Sequence, residues 1–244
     1  MTKMFSDKIV VVTGASRGIG WHAALAFAEQ GAHVIALART SGALEELDDE
    51  IQKRGGSATL VPVDLTDFPA IDRLGAAIYE RWGKLDVLVA NAGILGTLSP
   101  VGHIDPKTWD KVMAINLTAN WRLIRSLDPL LRLSAAGRAI FLSSGAARSN
   151  KPFWGAYAVS KAGLEALVNT YAAETQSTAI RVSLVNPGAT RTGMRAEAMP
   201  GEDPSTLPHP QEIAPHLLKL AAADFDRTGV LYDVRTGAIV EALD

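Results

Sequence analysis

Short runs of consecutive apolar residues, many of them β-branched, recur along the chain and alternate with longer stretches in which apolar residues return every three or four positions. The short runs are KIVVVTG at 8–14, HVIALA at 33–38, ATLVPVD at 58–64, LDVLVANAG at 85–93, RAIFLSS at 138–144 and IRVSLVNPG at 180–188. Amphipathic segments near 18–30, 41–54, 67–82, 106–133 and 156–175 lie between them and predict helices. Strands that are apolar throughout have both faces covered, and strands that alternate with helices run parallel. The pattern predicts an α/β fold, a doubly wound parallel sheet of about seven strands in one domain spanning 1–244, with no linker or composition break. Ligand sites of such a sheet lie beyond the C-terminal strand ends, where this sequence concentrates Gly, Asn, Ser and Pro. The segment 189–210, rich in Pro and small residues, is too long for an ordinary connection. It reads as a substrate-binding loop, with a disordered loop as the alternative.

Composition narrows the partners. At 244 residues and 48% hydrophobic the chain can bury a sizeable core. A formal net charge of −2 gives no basic footprint for nucleic acid or an anionic membrane, so a small molecule is the expected partner. The absence of cysteine excludes disulfides, thiolate nucleophiles and Cys-ligated zinc. His22, His33, His103, His209 and His216 have no metal-ligand spacing, so no metal is expected. No apolar run has membrane-spanning length and the start has no signal-like stretch, so the expected setting is cytoplasmic.

The first strand runs into TGASRGIG at 13–20, which opens the first helix. Gly14 permits a tight turn, Gly18 lets backbone approach a pyrophosphate, and Gly20 allows close helix-to-strand packing. The helix start, with Ser16, Arg17 and Ile19, offers free N–H groups to an anion. At this junction a dinucleotide is favoured over a plain glycine-rich turn. The second strand ends at Ala38, followed by Arg39 and Thr40, with no carboxylate to hold a ribose 2′-hydroxyl. Arg39 and Arg17 are either solvated surface residues or a clamp for a 2′-phosphate, and the second reading favours NADP(H) over NAD(H). Downstream, YAVSK at 157–161 places Tyr157 and Lys161 on one face of a helix. An ammonium beside a phenol lowers its pKa toward the working range, which makes the pair a candidate proton donor and tuning group.

With VDL at 63–65, NAG at 91–93, Asn116 in AINLT, Ser144 in FLSSGAA and NPGATRT at 186–192, these motifs make the chain resemble the short-chain dehydrogenase/reductase family, from about Asp7 to Asp233. The resemblance implies a Rossmann-type fold and hydride transfer between a nicotinamide cofactor and a carbonyl or secondary alcohol. It implies Asp64 and Leu65 at the adenine, and Asn91, Ala92 and Gly93 along the adenosine-ribose side while steadying the sheet. Pro187, Gly188, Thr190 and Thr192 would border the nicotinamide. Tyr157 would be the general acid/base, Lys161 its tuning group and ribose grip, Ser144 the stabiliser of the substrate oxygen, and Asn116 the holder of a proton-relay water. Asp64 as a turn residue, NAG as a structural turn and Asn116 as a locally bonded polar residue are the alternatives. Leu95, Phe153, Trp154 and Met194 are expected to face the substrate or else to pack loops onto the core. The resulting expectation is an NADP(H)-dependent oxidoreductase; the alternatives are an NAD(H)-dependent alcohol dehydrogenase and a cofactor-binding regulatory or scaffold protein. The family implies a homo-oligomer built on the helices at 106–133 and 156–175. The tail TGVLYDVRTGAIVEALD departs from the family's DGG-like turn, which leaves dimer and tetramer open.

Overall fold

A computed structural model of the chain describes residues 3–240. Strands β1 (Ile9–Thr13), β2 (His33–Ala38), β3 (Ser57–Pro62), β4 (Val87–Ala90), β5 (Arg138–Leu142), β6 (Arg181–Asn186) and β7 (Val230–Asp233) are parallel, in the order β3-β2-β1-β4-β5-β6-β7. An eighth strand, β8 (Ala238–Val240), joins antiparallel to β7, beyond the expected seven. The helices are α1 (Gly18–Glu29), α2 (Ser41–Lys53), α3 (Phe68–Trp82), α4 (Pro106–Met113), α5 (Ala119–Leu131), α6 (Ala146–Ser149), α7 (Gly155–Glu174), α8 (Gly193–Ala198) and α9 (Ala214–Ala221).

The two faces of β1 explain its unbroken apolar sequence. Val10 and Val12 enter a core with Phe27, Leu44 and Leu217, from α1, α2 and α9. Ile9 and Val11 enter a second core with Leu74, Leu123 and Leu164, from α3, α5 and α7. With period two, neither face can be polar. The chain builds outward from β1 to β3 and then crosses to β4 on the other side. That reversal opens a crevice beyond the ends of β1 and β4. At the opposite end, Asp86 is 1% exposed and accepts hydrogen bonds from Ser134 Oγ (2.6 Å) and the Ile9 N–H (3.0 Å), with Lys8 and Lys84 at 3.2 and 3.0 Å. Burial opposes its charge, but these donors win and hold the carboxyl below its usual range.

One expectation about the helices is corrected. The predicted helix over 106–133 is α4 and α5 separated by a π-helical turn, Ala114–Thr118, in which Asn116 sits. An extra residue in the turn breaks the periodicity locally without interrupting the helical rod, so the apolar pattern conceals it. The segment 189–210 is an ordered excursion with α8 and a 3-10 turn at Pro204–Thr206, started by Thr192, whose hydroxyl accepts from the Arg195 N–H at 3.2 Å. On α7, Gly163 lets this helix pack closely on the π-helical turn of its own chain: an added Cβ would stand 3.1 Å from Leu117 Cδ2. The end of the tail implicated in assembly, beyond Val240, lies outside the described residues. Among the described residues, no helix is long and apolar enough to cross a membrane.

Candidate active site

The glycine turn has the geometry its spacing demands. Gly14 and Gly18 have φ of +67° and +60°, where a side chain is strained. An added Cβ on Gly20 would lie 2.3 Å from the Gly14 carbonyl oxygen, so only glycine lets α1 start against the turn. Thr13 and Asn91 bolt the turn to β4: Thr13 Oγ1 accepts from the N–H groups of Asn91 and Ala92, both at 3.0 Å, and Asn91 Nδ2 donates to the carbonyls of Thr13 (2.9 Å) and Gly14 (3.3 Å). No side chain caps the start of α1, which leaves its first N–H groups directed out of the helix. The free helix start and a glycine turn open on one side fit a pyrophosphate.

Arg39 follows β2 and is more than half exposed, 4.0 Å from Asp64. Asp64 is a turn residue as well as a cavity residue: its Oδ1 accepts from Thr66 N and Thr66 Oγ1, both at 2.8 Å, and the first of these bonds is the largest influence holding its pKa down. Arg17, Arg39, Asp64 and Leu65 line the same cavity of about 710 Å³. Its size is that of a site for a dinucleotide fragment and a small partner.

At the other end of this cavity stand the groups of the predicted chemistry. Tyr157 and Lys161 rise from α7, and Ser144 lies just past β5. The segment carrying Ser144 is held on both sides: Ser143 Oγ bonds to Glu165 of α7, and the Gly145 N–H donates to Asn186 Oδ1 at 3.1 Å. Arg148 pairs with Glu165 and fixes that carboxylate in turn. Lys161 is 3% exposed and donates to the Leu142 carbonyl at 2.6 Å, with its Nζ 5.9 Å from the Tyr157 ring centroid. Burial pulls its pKa down to about 8, against the field of Glu165. The expected downward tuning of the phenol is corrected here. Burial pushes Tyr157 up, and the hydrogen bond with Ser144 draws it partly back. The phenol is therefore protonated at neutral pH, the state a proton donor requires.

Asn116 is fully buried, and its side chain is spent on protein. Its Oδ1 accepts from the Ile94 N–H, and its Nδ2 donates to the Ile94 carbonyl and Ser160 Oγ, each at 2.9 Å. No side-chain donor is left for a water, so its visible work is to pin the loop after β4 to α7. Gly93 is the close-approach residue of that loop, since an added Cβ would stand 3.3 Å from Asn116 Oδ1 and 3.6 Å from Lys161 Nζ.

Most expected residues line the cavity: Gly14, Ser16, Gly18 and Ile19 of the turn, Asn91, Ala92 and Gly93 after β4, Pro187, Gly188, Thr190 and Thr192 after β6, and Leu95, Trp154 and Met194 near Tyr157. Gly20, Thr40 and Asn116 do not, nor does Phe153, which is exposed at φ +72°. The structure adds residues that no motif marked. His22 of α1 meets His209 edge-on at 5.0 Å between ring centroids. Arg235 crosses from the β7–β8 hairpin to Gly188, whose added Cβ would lie 2.8 Å from Arg235 Cγ. Lys151 stands at the rim beside Trp154.

Comparison with known proteins agrees with this geometry. The sequence profile described as short chain dehydrogenase matches residues 8–203. The chain is 38% identical over 238 residues to the uncharacterized oxidoreductase YciK of Escherichia coli K12, covering 96% of this chain and 94% of that protein. A short chain dehydrogenase from Shigella flexneri 2a, crystallised in complex with NADP, superimposes with a TM-score of 0.92 at 37% identity, covering 96% of this chain and all (100%) of the other. One from Escherichia coli CFT073, complexed with NADPH, gives 0.90 at 37% identity, with 96% and 99% covered. A glycine turn at the switch of a parallel sheet, facing a buried tyrosine and lysine one helical turn apart, has this common origin: the chain belongs to the short-chain dehydrogenase/reductase family.

Proposed function

We propose that this protein is an NADP(H)-dependent oxidoreductase that interconverts a carbonyl compound and its alcohol. The observation that carries the reading is the convergence of Tyr157, Ser144 and Lys161 at one end of a cavity whose other end is the glycine turn with Arg17 and Arg39. Two structural relatives crystallised with NADP and NADPH support the choice of cofactor. The residues present fit it: the α1 start and Gly18 for the pyrophosphate, Arg17 and Arg39 for a 2′-phosphate, Gly93 and Lys161 for the nicotinamide ribose, and Pro187 and Gly188 for the nicotinamide.

When bound, NADPH supplies a hydride to the carbonyl carbon. Tyr157 donates its phenolic proton to the carbonyl oxygen as negative charge develops there, and Ser144 donates a hydrogen bond to the same atom. Lys161 keeps one N–H on the Leu142 carbonyl and turns its other donors to the ribose hydroxyls and the phenolate, which it stabilises until a proton returns. Oxidation of the alcohol runs the same transfers in reverse. The exposed Trp121 of α5 and Val159 of α7 support assembly of a homo-oligomer on these helices, which light scattering measures directly. The test of function is NADPH oxidation by the purified protein with a panel of ketones and aldehydes, with the alcohol identified as product. NADPH binding without turnover of any member overturns the oxidoreductase reading in favour of a binding role.

A further inference from the structure

The cations around the cavity divide into those already engaged and those free to take a ligand. Lys161 is on the Leu142 carbonyl, Arg191 on the carbonyls of Ser205 (3.3 Å) and Leu207 (3.2 Å), Arg195 on Glu202, and Arg235 on Asp233. Arg39 stands by Asp64, and Arg17 belongs to the phosphate turn. Lys151 is different. It lies on the substrate side, and among the described residues no carboxylate comes within 4 Å of its ammonium. Glu202, near enough to feel its field, is held bidentately by Arg195. Lys151 Nζ instead meets the weak acceptor Met199 Sδ at 3.9 Å and stands 5.0 Å from the centroid of the Trp154 ring.

The backbone holds it there. Asn150 and Phe153, on either side, have φ of +44° and +72°, a left-handed conformation that side chains other than glycine adopt at a cost. The Ser99 N–H ties the segment down at the Phe153 carbonyl, 3.0 Å away, and Ser99 pairs with Trp154 in an isolated bridge. Trp154 in turn meets the Tyr157 ring edge-on at 5.9 Å. The space between ammonium and phenol is apolar: Leu95, Ala146 and Ala198 are buried around Tyr157, with Leu98, Met194 and Met199 against them. Unbranched methionines let such a wall adapt to the length of an aliphatic or aromatic body.

We propose that the substrate is an apolar carbonyl or alcohol compound with an anionic group, carboxylate or phosphate, at its far end, its reacting oxygen at Tyr157 and its anion at Lys151. The inference rests on the oxidoreductase reading above. It names the substrate class of that same site.

The experiment compares NADPH oxidation by oxo-acids and ω-phosphorylated ketones of graded chain length with that of their neutral esters and unphosphorylated parents. The wild type favours an anion over its neutral partner by roughly tenfold in kcat/KM at the best length, chiefly through KM. Lys151→Gln brings this ratio close to one, and Lys151→Arg retains it. A ratio that Lys151→Gln leaves unchanged, or a wild type that prefers the neutral partners throughout, overturns the inference. Calorimetric titration of the same anions into the complex with NADP+ gives a readout independent of turnover. Binding that weakens in Lys151→Gln upholds the anion site even where no carbonyl is reduced, and turnover without charge preference upholds the reaction while refuting the site.

Discussion

Lys161 has a stability signature that tests its environment separately from its chemistry. Its ammonium is buried, and burial brings its pKa from 10.5 to about 8. Between these values the unfolded chain binds more protons at this position than the folded one, so the lysine makes the folded state gain stability as pH rises through that window. Each pH unit is worth about 1.4 kcal/mol. From pH 7 to 9.5 the folded lysine discharges over roughly one and a half units, a gain of about 2 kcal/mol. In Lys161→Met the gain disappears while every other group titrates as before. The lost hydrogen bond to the Leu142 carbonyl lowers the variant's stability, but its larger effect is a constant offset. Urea unfolding of both proteins at pH 7 and 9.5 measures the double difference. Wild type gains about 2 kcal/mol on the variant between the two pH values. A difference independent of pH would mean that Lys161 is hydrated in the folded protein, and the site built on its burial would be wrong.

Three further substitutions probe the frame. Gly20→Ala drives a methyl group into the Gly14 carbonyl, so thermal unfolding should show a loss of about 1–3 kcal/mol with weakened NADPH binding; unchanged values of both would refute the close approach of α1 to the turn. Arg39→Ala should cost NADPH roughly tenfold in affinity and leave NADH unaffected, by fluorescence titration, and an unaltered preference removes Arg39 from cofactor selection. Asp86→Asn should cost about 3 kcal/mol at neutral pH. Because the folded carboxyl titrates below 3.8, its contribution is present above that value and fades as pH falls through the folded pKa, so the gap to wild type should narrow in acid; a constant gap would contradict the charge-based account.

The parallel sheet is legible because burial on both faces leaves strands few polar positions, and in β1, β2 and β5 the apolar run is broken only by one polar residue at a strand end, Thr13, His33 and Arg138. The glycine turn is legible for a different reason: backbone conformation and close packing each require glycine, and three such demands fall within eight residues at the end of a strand. The π turn at Asn116 is hidden, because the inserted residue breaks the apolar periodicity only locally and a helical pattern continues on both sides of it. So are α9 and the approach of Arg235 to Gly188, which depend on tertiary packing between distant segments. Spacing from Lys161 marks Tyr157, yet it points the titration of the phenol in the wrong direction. Spacing reports that two groups share a helix face; only the fold reports how deeply both are buried. Lys151 carries no motif, and only the fold places it at the cavity beside Trp154.

The central claim is that the Tyr157 phenol transfers the proton in a nicotinamide-linked reduction. Tyr157→Phe keeps the ring that packs among Leu95, Ala146 and Ala198 and removes only the hydroxyl. NADPH affinity and NADPH oxidation are to be measured on this variant and on wild type with the best carbonyl substrate. The structure predicts unchanged NADPH binding and a turnover number lower by about a hundredfold or more. Turnover at the wild-type rate in the folded, NADPH-binding variant would contradict it.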